Sequence, residues 1–395
     1  MRRFVLLIMT SIFFVHTGFS QTLTYKSPVK GLVDMGETTF YNNPNKFQPD
    51  NSLNDITSSG ANGIFGGTVI NVTWAELQPD NDNQLVTTAI DNALAAINNY
   101  NNNLDRNSSS PQLKAKLRIW GGFAAPSWVK NIDGPNTEIP IQAGKQGNKV
   151  TQSGTVGPWW QANYIKAWRN LLSNLGNKYD SNPVIAEISV TSCASSTDEP
   201  FIAWSNTQYD SKAIAALLNA GYTDEAQASC LTNALDDYAG WPTTQLDFPI
   251  SPFFPLQANS TYDSPDFTVP DQVMTQCIAN GHCILSNQGL SPDLNGNLQK
   301  IYNTISSLLQ ENPQSYSDFQ SVSPALFGTF SNPSDPWCQL MIAGKKYQAQ
   351  SIELWPYTPN PAYFGFTSLL ASQLTSMANY LNGTSNSCST LISSD

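Results

Sequence analysis

Acidic residues and tryptophans follow several short apolar runs of this sequence, where they are well placed to do chemistry. Asp198-Glu199-Pro200 comes after the apolar run 184–190, and Glu353 lies two residues before Trp355 in the run 351–355. A carboxyl group can donate a proton, accept one or attack an electrophilic carbon, so two carboxyl groups can share acid and base work. The candidate catalytic residues are therefore Glu199 and Glu353.

The small number of histidines excludes several other kinds of site. Only His16 and His282 are present, and His16 lies in an N-terminal stretch that we expect to be removed. A metal site with several histidines is excluded, and any Ser-His-Asp or Cys-His arrangement would have to use His282. We expect no metal and no other cofactor, which leaves carboxylates as the proton-handling groups.

The charge balance narrows the choice of partner. The 395 residues include 30 acidic and 19 basic side chains, and the net charge is −11. Because there is no basic run, we expect no binding to nucleic acid or to anionic membranes. Charged residues are only 12% of the chain and hydrophobic residues 40%, a composition that favours a folded protein with a sizeable core.

The N-terminus has the pattern of a secretory signal. Residues 1–20 begin with two arginines, continue with an apolar run from Phe4 to Val15 and end with small residues, which predicts cleavage near Ser20. A membrane anchor is the alternative, but the run is shorter than the roughly 20 residues that a span needs. The sequence predicts a secreted or periplasmic protein with no membrane contact after cleavage.

Six cysteines remain after that cleavage, and an even number in an exported chain favours three disulfides. Six cysteines allow 15 pairings, so the sequence does not fix the connectivity. A free buried pair is also compatible with it. The most local pairing joins Cys193 to Cys230, Cys277 to Cys283 and Cys338 to Cys388.

Short apolar runs alternate with amphipathic helices along the chain. Tyr164, Trp168, Leu171 and Leu175, for example, repeat with the period of a helix. Eight such units predict a single (β/α)8 barrel over residues 21–395. An open doubly wound sheet is the rival, but the Gly-rich phosphate loop that usually follows its first strand is absent. The predicted strands are 31–35, 68–72, 116–120, 184–190, 245–250, 283–286, 325–329 and 351–355.

In a barrel of this kind the active site forms at the C-terminal ends of the strands. Candidate substrate-binding residues at these ends are polar or aromatic, because ligand sites combine aromatic surfaces with a few hydrogen-bonding groups. Packing in the core is the alternative role for the tryptophans, and a turn or capping role for the polar residues. The candidates are Glu37, Trp74, Trp120, Asn287 and Trp355.

Three stretches, in this order, resemble the clan of (β/α)8 glycoside hydrolases that includes cellulases and β-galactosidases. The first is Trp74-Ala75-Glu76-Leu77-Gln78-Pro79 after strand 2. The second is Leu117-Arg118-Ile119-Trp120 with Ala125-Pro126-Ser127-Trp128, and the third is the helix 160–179 with the following Asp180-Ser181-Asn182-Pro183. The resemblance implies a barrel that acts on an oligo- or polysaccharide.

The resemblance also implies roles for two carboxyl groups. In that clan an Asn-Glu-Pro motif after strand 4 supplies the general acid/base, and Asp198-Glu199-Pro200 matches it with Asp in place of Asn. A second Glu after strand 7 is the clan's nucleophile, whereas the predicted strand 7 leads into 328–332 with no Glu; Asp335 is the nearest acid. Either the strand count is off by one, or the pair is arranged differently with Glu353 as second carboxylate, or that carboxylate is absent.

Three hypotheses follow. The first is a secreted glycoside hydrolase with Glu199 as acid/base and Glu353 as nucleophile or base. The second is a carbohydrate-binding protein on the same barrel without turnover, and the third is a host-interacting protein without sugar affinity. Against the catalytic roles, Glu199 could be a solvated loop residue, and Glu353 a buried structural acid paired with Arg118 or a lysine. The oligomeric state is open.

Overall fold

The computed structural model describes the greater part of the chain. It covers residues 24–36, 51, 53–104, 110–146, 149–195, 197–201, 211–256, 264–329, 336–356 and 365–389. The predicted leader, residues 1–20, and the candidate binding residue Glu37 lie outside the described residues.

Eight parallel strands close into a barrel, as the alternation of strands and helices predicts. The first and last strands pair with each other, with Val33 opposite Glu353, so the sheet has no free edge. In order around the barrel the strands are β1 (Gly31–Asp34), β2 (Gly67–Thr73), β3 (Lys114–Trp120), β6 (Ile185–Ser189), β7 (Gln245–Pro249), β8 (Cys283–Leu290), β9 (Tyr316–Ser321) and β10 (Ser351–Leu354).

Helices and one hairpin connect the barrel strands. The antiparallel hairpin of β4 (Ile139–Gln146) and β5 (Lys149–Val156) is inserted between β3 and β6. The described helices are α1 (Asn54–Ser58), α2 (Trp74–Leu77), α3 (Thr88–Asn103), α4 (Ser127–Lys130), α5 (Ala162–Tyr179), α6 (Ser211–Asn219), α7 (Asp224–Thr232), α8 (Thr268–Asn280), α9 (Gly296–Glu311), α10 (Pro336–Lys346) and α11 (Ala371–Leu381).

The main hydrophobic core joins the barrel strands to the surrounding helices. In β3, Leu117 and Ile119 are fully buried in this core, together with Leu171 and Leu175 from the apolar face of α5. The alternate positions of β3, Lys116 and Arg118, are also buried but are charged. Because neighbouring side chains of a strand point to opposite faces, this alternation separates an apolar outer face from a polar barrel interior.

The predicted position of barrel strand 7 is wrong. The strand is β9, Tyr316–Ser321, and the predicted segment 325–329 belongs to a 3-10 helix, Pro324–Thr329. The apolar letters around Leu326 suggested a strand, but Leu326 is 48% exposed. The true strand looks polar because Asp318 and Gln320 face the barrel interior, while Phe319 packs outward against Tyr302.

Three disulfides join the cysteines in the most local of the possible pairings. Cys193 bonds Cys230, Cys277 bonds Cys283 and Cys338 bonds Cys388. Within the described ranges, no helix combines the length and the apolar character that a membrane span requires.

Candidate active site

The side chains of β3 organise the barrel interior. Lys116 and Arg118 both contact Glu353 of β10, a strand that does not neighbour β3 in the sheet. Such contacts require both side chains to point inward across the barrel. Trp120 is two residues further along and therefore lies on the same inward face, nearer the C-terminal ends of the strands.

The ammonium group of Lys116 lies among four carboxylates from four different strands. It is 3.3 Å from Glu187, 3.1 Å from Asp247 and 2.8 Å from Glu353, and it also pairs with Asp318. All five side chains are buried. Charges taken out of water are stable only when they are paired in this way, so the cluster links five strands of the barrel.

The guanidinium of Arg118 connects this cluster with the loop that follows β6. Its Nη2 donates to both carboxylate oxygens of Glu353, at 2.7 and 2.9 Å, and its Nε lies 3.0 Å from Oδ2 of Asp198. Its Nη1 donates to Gln320 Oε1 at 3.3 Å. Glu353 and the Asp198-Glu199 segment are therefore neighbours of the same cation.

The two cations keep Glu353 ionised. Burial opposes this, but the charges and hydrogen bonds of Arg118 and Lys116 outweigh burial and lower the pKa of Glu353 to about 2. The other acids around Lys116 respond differently. Burial raises the pKa of Glu187 to about 7, and burial with neighbouring acids raises the pKa of Asp318 well above its ordinary value.

Glu199 has the opposite electrostatic environment. Its side chain is only 4% exposed, and its Oε2 has no hydrogen-bond partner among the residues that the structure describes. Burial, together with the charge of Asp198, raises the pKa of Glu199 well above its ordinary value, although Arg118 acts in the other direction. Glu199 is therefore a buried carboxyl group whose surroundings favour the protonated form.

Asp198 stands where the resemblance to glycoside hydrolases places an Asn. Its carboxylate accepts a hydrogen bond of 2.6 Å from Gln288 Nε2 and forms the ion pair with Arg118. Burial raises the pKa of Asp198, and Arg118 partly offsets the effect. The side chain thus links the loop after β6 to β3 and β8.

Two of the three candidate tryptophans lie at strand ends on the inward face. Trp120 Nε1 donates to Asn71 Oδ1 at 3.0 Å, and Trp355, two residues after Glu353, donates to the Ser321 carbonyl at 2.8 Å. Trp74 is different, because it is fully buried in α2, with its ring 5.0 Å from that of Trp168. Trp120 and Trp355 therefore lie at the C-terminal ends of their strands, whereas Trp74 packs among the helices.

The polar candidate Asn287 stabilises an irregular stretch near the end of β8. Its Nδ2 donates to the Ile250 carbonyl at 2.7 Å, and its Oδ1 accepts from Gly289 N–H at 2.7 Å. His282 directly precedes β8, at the end of the barrel opposite the acids, and stacks on Tyr25 with ring centroids 4.6 Å apart.

A group of acids that could bind a cation is present, and these acids contact the ammonium group of Lys116. In the described ranges, the one group of carboxylates close enough together to hold a metal ion consists of Asp247, Asp318 and Glu353. The Lys116 ammonium contacts all three and supplies the positive charge that a metal would bring. The geometry therefore favours ion pairs with Lys116 over a bound metal ion at these three acids.

Sequence reasoning missed most of this cluster. Lys116, Asp247 and Asp318 were not candidates, nor was Glu187, which pairs with Lys116 inside the barrel. A signal was available in β3, where Lys116 and Arg118 alternate with apolar residues. Charges with a period of two in a strand buried on both faces indicate a polar barrel interior.

Comparison with known proteins supports the fold. No family model and no curated protein sequence matches the chain. Among solved structures, the catalytic domain of β-amylase from Paenibacillus polymyxa superposes with a TM-score of 0.52 at 10% identity, over 89% of this chain and 99% of that chain. Endo-glycoceramidase II from Rhodococcus sp. gives a TM-score of 0.52 at 10% identity, over 89% and 80%. The chain has the (β/α)8 barrel fold of these glycoside hydrolases.

Proposed function

We propose that the protein is a glycoside hydrolase that cleaves an oligo- or polysaccharide with Glu199 as general acid and Glu353 as the ionised carboxylate. One observation carries the proposal. Glu353 binds Arg118, and Glu199 directly follows Asp198, which pairs with the same cation, yet the pKa of Glu199 is raised and the pKa of Glu353 is lowered to about 2. Two carboxyl groups whose pKa values are pushed apart are suited to opposite roles in acid and base catalysis.

The proposed chemistry uses each protonation state once. The protonated carboxyl of Glu199 gives its proton to the glycosidic oxygen as the bond to the sugar carbon breaks. The ionised Glu353 attacks that carbon or takes a proton from the attacking water, depending on the separation of the two groups in the substrate complex. Trp120 and Trp355 lie at the same barrel mouth, and we propose them as stacking surfaces for sugar rings.

The test is a pair of isosteric substitutions, Glu199→Gln and Glu353→Gln, assayed on a panel of oligosaccharides and aryl glycosides. Each change removes one titrating group, so kcat on a substrate of the wild-type protein should fall by about 10²- to 10⁴-fold. Glu311→Gln is the matched control, because Glu311 is exposed at the end of α9. Full activity in both variants would refute the assignment.

A second function is favoured by one specific residue. With β9 correctly placed, Gln320 is the inward-facing residue near the end of barrel strand 7, where the resemblance expects a catalytic Glu. A protein that binds carbohydrate without cleaving it would fit this amide. Calorimetry would then detect oligosaccharide binding, while prolonged incubation would release no product.

We also propose that the protein is exported after removal of residues 1–20. The basic and apolar leader supports this, as do the three disulfides, which persist in oxidising compartments.

A further inference from the structure

The segment that carries Glu199 is attached to the protein at several points on either side of that residue. Cys193, at its start, is bonded to Cys230 of α7. The Ser195 carbonyl accepts a hydrogen bond of 2.8 Å from Phe123 N–H, and Asp198 is held by Arg118 and Gln288. We call residues 193–195 and 197–200 the acid loop.

The last attachment is made by the side chain of Gln227. Its Nε2 donates to the carbonyl of Pro200 at 2.9 Å, and its Oε1 accepts from Trp159 Nε1 at 2.7 Å. Gln227 is fully buried in α7, one turn before Cys230. A buried amide with both its donor and its acceptor in use fixes its partners precisely, because an unpaired group there would be costly.

The carboxyl group of Glu199 makes none of these attachments itself. Its backbone N–H donates to Thr197 Oγ1 at 3.2 Å, but Oε2 is buried without a hydrogen bond among the described residues. Because no hydrogen bond holds Oε2, the position of the carboxyl group depends on how the backbone on either side of Glu199 is held. That backbone is held on one side by Cys193 and on the other by the carbonyl of Pro200.

We propose that Gln227 and the Cys193–Cys230 disulfide are positioning residues, through which α7 holds Glu199 at the depth and angle needed for proton donation. This inference rests on the proposed function of Glu199 as general acid. Two contacts one helical turn apart, to the start and the end of the acid loop, leave the loop little freedom to move relative to α7. Without them, water would reach the Glu199 carboxyl group, and this group would no longer be aligned to donate its proton to the substrate.

Gln227→Leu tests the hydrogen-bonded half of this arrangement. Leucine has a volume similar to that of glutamine, but it is apolar, so the substitution removes both hydrogen bonds. We expect kcat to fall by about 10- to 100-fold while KM changes little, because small displacements of a catalytic group act on the chemical step. An unchanged kcat in a folded variant would overturn the positioning role.

A second readout does not depend on activity. The chain has eight glutamates, so labelling their carboxyl carbons gives few NMR signals, and Glu199→Gln identifies the signal of Glu199. In Gln227→Leu the titration midpoint of Glu199 should move down towards that of an exposed glutamate, since water enters. A midpoint equal to that of the wild type would overturn the proposal. If the wild-type protein hydrolysed no glycan, the proposed hydrolase function would be refuted. The titration of Glu199 would still decide whether Gln227 positions this residue.

Gln227→Glu is the conservative variant and also covers the case in which Gln227→Leu does not fold. A protonated Glu can donate to the Pro200 carbonyl and accept from Trp159, whereas an ionised one cannot donate. Activity should therefore approach the wild-type value at acidic pH and fall as the new carboxyl ionises. A pH profile identical in shape to that of the wild type would count against the role.

The disulfide is tested with Cys193→Ser/Cys230→Ser against Cys338→Ser/Cys388→Ser. The two bonds close comparable stretches, with sequence separations of 37 and 50, but the second touches neither α7 nor the acid loop. Both double variants should lose thermal stability. Only the first should lower kcat and the Glu199 midpoint, measured well below the melting temperature of either. Equal effects of the two double variants would overturn the proposal.

Discussion

At the scale of single residues, Arg118 has the most consequential contacts of the candidate site. It is 1% exposed, and its guanidinium binds Glu353 through two hydrogen bonds while its Nε pairs with Asp198. The planar guanidinium reaches Glu353 and Asp198 at the same time, whereas the shorter side chain of a lysine ends in a single ammonium group. The positive charge alone therefore does not account for the role of this residue.

Arg118→Lys should lower the free energy of unfolding by about 2–4 kcal/mol, because a buried carboxylate loses a specific partner. It should also raise the pKa of Glu353 from about 2 towards its ordinary value, which shifts the acidic limb of any pH–activity profile upwards. Chemical denaturation and carboxyl NMR measure the two effects. Arg169→Lys is the control, since Arg169 is 48% exposed, and should cost about 1 kcal/mol or less. Equal costs would contradict this account.

At the scale of elements, the sequence predicted the barrel because seven of its strands are apolar runs between amphipathic helices. β9 was missed because its inward residues Asp318 and Gln320 make it look like a loop. Their burial depends on partners from β3, far away in sequence, such as Lys116. Glu199 became a candidate through its motif after barrel strand 4, but the environments that separate its pKa from that of Glu353 depend on contacts across the barrel. Such contacts have no local sequence pattern.

The contact between the 3-10 turn Gly122–Ala124 and the acid loop gives a prediction at this scale. Gly122 has φ +51°, and a Cβ there would overlap the carbonyl of Ser195. Gly122→Ala should therefore pay the left-handed backbone penalty of about 1–2 kcal/mol and additionally displace the acid loop. We expect lower stability and lower kcat.

Gly296→Ala is the matched control for that substitution. Gly296 has a similar φ of +58°, but no atom lies within 4 Å of an added Cβ. It should show the backbone penalty alone, by thermal denaturation, with an unchanged kcat. If Gly122→Ala proved no more harmful than Gly296→Ala, the acid loop would not depend on this close approach.

At the scale of the whole molecule, the barrel interior contains more acid than base. Lys116 and Arg118 contact five buried carboxyl groups in total, Glu187, Asp247, Asp318, Glu353 and Asp198. Ionising all five would leave uncompensated negative charge in a region of low dielectric constant. The pKa values resolve this conflict, because Glu353 stays ionised while the pKa values of Glu187, Asp318 and Asp198 rise. The interior therefore retains protons that the unfolded chain would release.

Because of these retained protons, the free energy of unfolding depends on pH. The substitution Glu187→Gln removes the contribution of one of the groups and so measures it. Burial raises the pKa of Glu187 from 4.5 to about 7, so between these values the folded protein binds more protons than the unfolded chain. Its stabilising contribution is complete below pH 4.5 and is lost as the pH rises to about 7.

Gln does not titrate and keeps an acceptor for Val29 N–H, which Glu187 binds at 2.6 Å. Relative to the wild type, Glu187→Gln should therefore gain stability as the pH rises from about 5 to 7 and show no further change above that. Urea denaturation at a series of pH values measures the difference. A difference that does not vary with pH, or that shrinks as the pH rises, would show that Glu187 does not hold a proton in the folded barrel.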